Sequence, residues 1–206
     1  MTVFGTFVTR GHVEVAVQAH VSKWMPLHIA AVERQEGIAP GSIQLPGAVD
    51  IVTQFTRFPD DKLPWIAVVS PGIVPGRAPR RAGDGEVTAW WQVAVGAVVA
   101  AKDERAAKNL AGYYGAAIRL LMTQKASLGG FAQATDWTDE SYTDVPRLQD
   151  RNLAGVRMVF VVEVHNVMNV RGGYVPTQPP EDPYVVIPDN PTVVVGGVSV
   201  DIDRKP

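Results

Sequence analysis

The chain has 206 residues, 46% apolar and 19% charged, with a formal net charge of −2. Those values describe a globular chain long enough to bury a sizeable core unaided, and they exclude attachment to nucleic acid through bulk positive charge. Cysteine is absent, which removes disulfides, thiolate metal sites and a Cys nucleophile from consideration.

The first ten residues lack a basic start followed by an apolar core. The longest apolar run, Val93 to Ala101, falls far short of the roughly 20 residues that span a bilayer. The expectation is a cytosolic product with no export signal and no membrane partner. From Gly11 to Glu36, Val13, Val17, Val21 and Trp24 recur at helical spacing. Pro26 removes a backbone donor and disfavours a helical residue before it, so two helical pieces with a break near Met25 are expected. Gly37 to Asp61, rich in Pro and Gly, reads as a connection holding one short strand or helical turn.

Leu63 to Ser70 is a β-rich run closed by Pro71-Gly72. Gly72 to Gly85 then reads as a mobile basic loop carrying Arg77, Arg80 and Arg81. Val87, Ala89, Trp91, Val93, Val95, Ala97 and Val99 share one side of a long strand. Asp103 is placed to cap a helix with an apolar stripe from Ala107 through Leu110, Tyr114 and Ile118 to Met122. Gly129-Gly130 ends that unit. Phe131 to Tyr142 reads as a strand or irregular hairpin, and Val156, Met158, Phe160, Val162 and Val164 form the inward face of a second strong strand, with Arg157, Glu163 and His165 on its other face.

One convincing helix between two strong strands, with hairpin-like connections elsewhere, predicts an α+β fold: a mixed or antiparallel sheet with helices packed on one face. The expected division is a domain over 1–170 and an extended Pro-rich arm over 171–206. Within the arm, Tyr184, Val185, Val186 and Ile187, and then Val193, Val194 and Val195 in the run Thr192 to Ile202, have strand propensity. Proline keeps such a segment extended and lowers the entropy lost when it docks on its own sheet or a neighbour's.

No catalytic constellation is written beside these elements. His12, His20 and His28 are eight residues apart and drift off a common helix face, without the closer ligand spacing that a metal needs. No GxSxG elbow is present, Ser70 is ordinary turn chemistry, and the glycines Gly112 and Gly115 sit inside a helix rather than at a phosphate-cradling turn. Asp136, Asp139, Glu140 and Asp144, around Trp137 and Tyr142, could imitate an acidic active site but read as a solvated acidic loop. No cofactor, metal or catalytic residue is therefore assigned.

The order just described resembles the tail terminator, or tail completion, proteins of long-tailed bacteriophages. The resemblance is carried by Glu86 to Ala101, the helix Asp103 to Met122, the acidic-aromatic stretch Trp137 to Val145 and the strand Arg151 to Val164. It covers roughly Gly11 to Val167 and rests on element order, and the long Pro-rich arm departs from the shortest members. It implies a non-enzymatic virion protein, assembled in the host cytoplasm as a homohexameric ring. That ring stops growth of the tail tube and joins the tail to neck or head-closure proteins. Arg77, Arg80 and Arg81 would then meet DNA in the lumen or an acidic neighbouring ring, and the arm would contact another subunit. The alternatives are another neck or head-closure subunit, or a small enzyme using the Asp136 to Asp144 cluster.

Overall fold

The structure, a computed structural model, describes residues 7–55, 59–82, 86–148, 151–169, 192–195 and 198–201. In chain order these form helix α1 (Arg10–Gln35), strands β1 (Ala48–Ile51), β2 (Trp65–Ile73), β3 (Arg80–Arg81) and β4 (Glu86–Ala101), and helix α2 (Glu104–Gln124). Strands β5 (Ala134–Leu148), β6 (Arg151–Asn169), β7 (Thr192–Val195) and β8 (Val198–Asp201) follow. The chain divides into two units, Met1–Gly173 and Tyr174–Pro206.

The first unit is built on a six-stranded sheet of order β1-β2-β4-β6-β5, with β3 pairing β4. β1 lies parallel to β2 and the other pairings are antiparallel, so the sheet is mixed and the fold is α+β. Alternation in β4 and β6 sends one set of side chains from each strand to the same face. Val93, Val95, Val99, Met158, Phe160 and Val162 are each buried there. α1 delivers Val13, Val17, Val21, Met25, Ile29 and Val32 to that core, and α2 delivers Ala107, Ala111, Tyr114, Ile118, Leu121 and Met122. Burying each larger apolar side chain contributes about 2 kcal/mol, which is what drives both helices onto one face of the sheet.

α1 does not break at Pro26. It runs unbroken through it, because Pro26 and Ser22 are both exposed. The carbonyl of Ser22, deprived of its helical partner, can turn to water, while Met25 and Ile29 hold the opposite side in the core. Three polar side chains of α1 also tie it to other parts of the fold, two to the sheet and one to the connection that follows the helix. Glu14 Oε1 accepts from the Ser70 N–H at 2.8 Å, Gln18 donates to the Val49 carbonyl at 2.7 Å, and Glu33 accepts from the N–H groups of Ile43 and Gly41. Those two amides, Ile43 first, hold the Glu33 carboxyl below its ordinary range despite burial.

Other boundaries differ from the sequence expectation. β2 continues past Ser70 through Pro71-Gly72 to Ile73, across a bulge between Val69 and Gly72. Glu14 supplies the acceptor that the ladder loses at that bulge. Gly37 to Asp61 is the expected connection, and it contains both a short strand, β1, and the start of a 3-10 turn, Asp60–Lys62. Of the two readings of Phe131 to Tyr142, strand or irregular hairpin, the strand holds: β5 is one long strand that takes in the acidic stretch expected as a loop, bulged between Trp137 and Asp139. Asp103 caps α2 as expected, accepting from the Ala106 N–H at 2.7 Å. Among the described residues no helix is long and apolar enough to cross a membrane.

In the second unit β7 and β8 pair with each other as an antiparallel hairpin, so the run Thr192 to Ile202 contains two short strands rather than one. Val193, Val194 and Val195 lie in β7. Tyr184, Val185, Val186 and Ile187 lie outside the described residues.

Glu14 offers a direct test of these interactions. Glu14→Ala leaves the buried Ser70 N–H without an acceptor and should lower stability to urea by about 1–3 kcal/mol. Glu14→Gln keeps an oxygen in place and should retain most of the stability. Equal losses in both variants would show that charge, rather than the hydrogen bond, is what Glu14 contributes.

Candidate functional site

Two clusters stand apart from the core, both at the margins of the sheet. The first gathers on the face opposite the helices. The turn after β2, closed by Arg77 N–H donating to the Val74 carbonyl, brings Arg77 over the Trp90 ring with its guanidinium carbon 4.0 Å from the centroid. Arg80, in β3, approaches the same ring at 5.9 Å. β3 pairs with the first residues of β4, Arg80 opposite Thr88 and Arg81 opposite Val87. The segment expected to be a mobile loop therefore holds a short strand anchored on an aromatic ring. Arg77, Arg80 and Arg81 remain exposed, so stacking fixes their position while their charge stays accessible.

Trp90 faces Glu163 across the β4–β6 pair. His165 Nε2 lies 2.8 Å from Glu163 Oε1, and that hydrogen bond is the main cause holding the Glu163 carboxyl below its ordinary value. Burial opposes it, and the Trp90 indole and the charge of Arg77 assist. The Trp90 indole nitrogen is buried and meets no partner at full hydrogen-bond geometry. Further along the same face, Phe55 lies over Gly96. A Cβ there would come within 2.7 Å of the Phe55 ring, so a larger residue at that position would have to displace the ring. Phe55, Gly96, Val98 and Arg157 line a recess of about 160 Å³.

The second cluster is β5. It pairs with β6 on one side, and among the described residues no strand pairs with its other edge. Asp136, Trp137, Asp139 and Tyr142 are exposed along it. α2 fastens the strand from below: Arg119 donates to Glu140 Oε2 at 2.9 Å and lies 5.0 Å from the Trp137 ring centroid. The Tyr142 hydroxyl donates to Glu140 Oε1 at 2.5 Å. Burial, then the hydrogen bond and charge of Glu140, push the Tyr142 hydroxyl up to about 12, with Arg119 opposing. Gly115 makes room for that contact, since a Cβ would sit 2.9 Å from the hydroxyl oxygen. Glu140 is thus engaged by two partners, and the carboxylates of Asp136, Asp139 and Glu140 are strung along a strand. The side chain of Asp144 lies outside the described ones.

The histidines of α1 separate as their spacing predicts. His12 is exposed, its Nδ1 accepting from the Thr9 N–H at 3.1 Å, and His28 Nδ1 lies 2.9 Å from the Trp24 carbonyl. His20 is buried, and desolvation first, then the charges of Lys125, His28 and Lys23, lower its pKa while the Leu121 carbonyl opposes. Among the described residues no three His, Asp or Glu side chains converge as metal ligands would. Sequence reasoning found the three arginines and the acidic stretch. It missed Trp90 as the anchor of the arginines, although its place among the outward residues of an otherwise apolar strand was the available signal.

No family model matches the chain, and no curated protein matches it.

Trp90→Leu keeps an apolar side chain but removes the ring under Arg77 and Arg80. Trypsin should then cut at Arg77, Arg80 or Arg81 about 2- to 5-fold faster, the consequence of losing about 0.5–1 kcal/mol of cation–π attraction. Limited proteolysis followed by mass spectrometry measures this, and an unchanged rate would mean that the ring does not anchor the segment.

Proposed function

We propose that this chain is a structural subunit that assembles with copies of itself into a ring of the tail-terminator kind, caps a phage tail tube and joins it to neck or head-closure proteins. The observation that carries the proposal is a sheet whose long strand β5 is, among the described residues, paired on one side only, with Trp137 43% and Tyr142 55% exposed. An open strand edge of that length is a template for pairing with another chain, and a monomer would ordinarily cover it.

The order of elements also supports the reading. A long strand, a helix, an acidic-aromatic strand and a second long strand follow one another as β4, α2, β5 and β6, the order on which the resemblance to tail terminators rests. Work of this kind needs surfaces rather than a deep pocket. β5 supplies one, and the arginine-bearing flank of β3 supplies another toward DNA in the lumen or an acidic neighbour. The segment after Gly173 forms a separate unit and is assigned to contacts with other subunits.

The test is mass. Purified protein, alone and mixed with tail-tube subunits, should give a ring on light scattering after size exclusion, with annular particles in negative stain. A monomer that persists at high concentration under both conditions would falsify the proposal.

A further inference from the structure

Two stretches of sheet edge that no strand covers among the described residues carry opposite charge. On one side is β5, where the stretch 134–144 holds Asp136, Asp139, Glu140 and Asp144 and no Lys, Arg or His. On the other side of β4 lie the end of β2 and then β3. β1 pairs β2 only as far as Val68, so among the described residues no strand covers the edge formed by the end of β2 and β3. The stretch 72–82 there holds Arg77, Arg80 and Arg81 and no acidic residue. Each side also exposes large apolar side chains, Trp137 at 43% and Tyr142 on β5, and Ile73 at 41% on the other.

We infer that the acidic β5 edge of one copy docks on the Ile73-to-Arg81 flank of the next, so that a second copy of this chain is the occupant of both edges. The inference rests on the reading of the chain as an assembling subunit and adds which surfaces meet. Charge decides the geometry. β5 against β5 across a two-fold axis would set carboxylates opposite carboxylates, and flank against flank would set guanidiniums together. Like charges directly opposed across strands are destabilising. The head-to-tail contact sets opposite charges against each other on both of these edges, and a head-to-tail contact closes into a ring or propagates as a filament.

The bulge at Trp137–Asp139 interrupts the regular ladder, which blunts the edge against indiscriminate pairing. Selection of the partner therefore falls to side-chain charge. The arginines are suited to it, because Arg77 and Arg80 are already held on Trp90 and lose less freedom on docking. Arg119 is occupied by Glu140 within its own subunit, leaving Asp136 and Asp139 as the exposed acidic contacts.

The experiment is a charge swap in the full-length chain, with assembly read by light scattering. Arg77→Glu, Arg80→Glu and Arg81→Glu together should weaken self-association by about 100-fold, and Asp136→Lys with Asp139→Lys should do the same. All five substitutions together should restore it. Arg81→Glu alone, which leaves the stack on Trp90 intact, should weaken association in the same direction and guards against misfolding of the triple variant. Wild-type protein that assembles while the reversed variants assemble equally well overturns this inference and leaves the ring reading standing. Loss in both reversed variants without restoration in the five-fold variant also overturns it. Wild-type protein that never assembles overturns both.

Discussion

The pairing of β4 with β6 is the interaction on which the rest of the structure depends. It runs from Glu86 opposite Asn169 to Ala101 opposite Asn152, and it sets two rows of apolar side chains side by side on one face. α1 and α2 have somewhere to bury their stripes only because that face exists. The same pairing aligns the opposite face, where Trp90 meets Glu163 and where Gly96 admits Phe55. A one-residue slip would turn both faces over at once, so the register is held by the full weight of the core.

From that centre the sheet grows outward unequally, and its margins acquire their character from what the core does not need. β5 receives support from α2 through Arg119, and its remaining polar and aromatic groups are left outward. On the other side, β1 stops short of the end of β2, and the chain must turn back at Val74 to begin β3. The arginines of that turn contribute nothing to the core. They are fixed instead by one aromatic ring, an arrangement that keeps cationic groups in position without removing their charge from solvent. Both margins are thus more ordered than the composition of their segments suggests, and ordered polar edges suit association better than mobile ones.

Much of the fold was legible because burial writes a period into the chain. The alternation of Val87 to Val99 and of Val156 to Val164, and the stripe from Ala107 to Met122, each named its element and its inward face. The misreadings have a common cause, which is that tertiary contacts overrode local signals. Pro26 lies on the solvated side of α1, where the lost hydrogen bond costs least, and Pro71-Gly72 sits in a bulge that Glu14 supports from another element. The acidic stretch Asp136 to Asp144 is a strand because β6 pairs with it, a partner that no local pattern announces. The arginines were visible as charges, but their stacking on Trp90 depends on a turn and a register that only the folded sheet defines.

The central claim is that both margins of this sheet are covered by neighbouring copies. Hydrogen–deuterium exchange on assembled protein, compared with the same chain held dilute and monomeric, tests it most directly. Slowed exchange on assembly in both 134–144 and 72–82, with the amides of β4 and β6 protected equally in the two states, is the predicted result. Assembled protein whose exchange is unchanged in both segments would contradict the account.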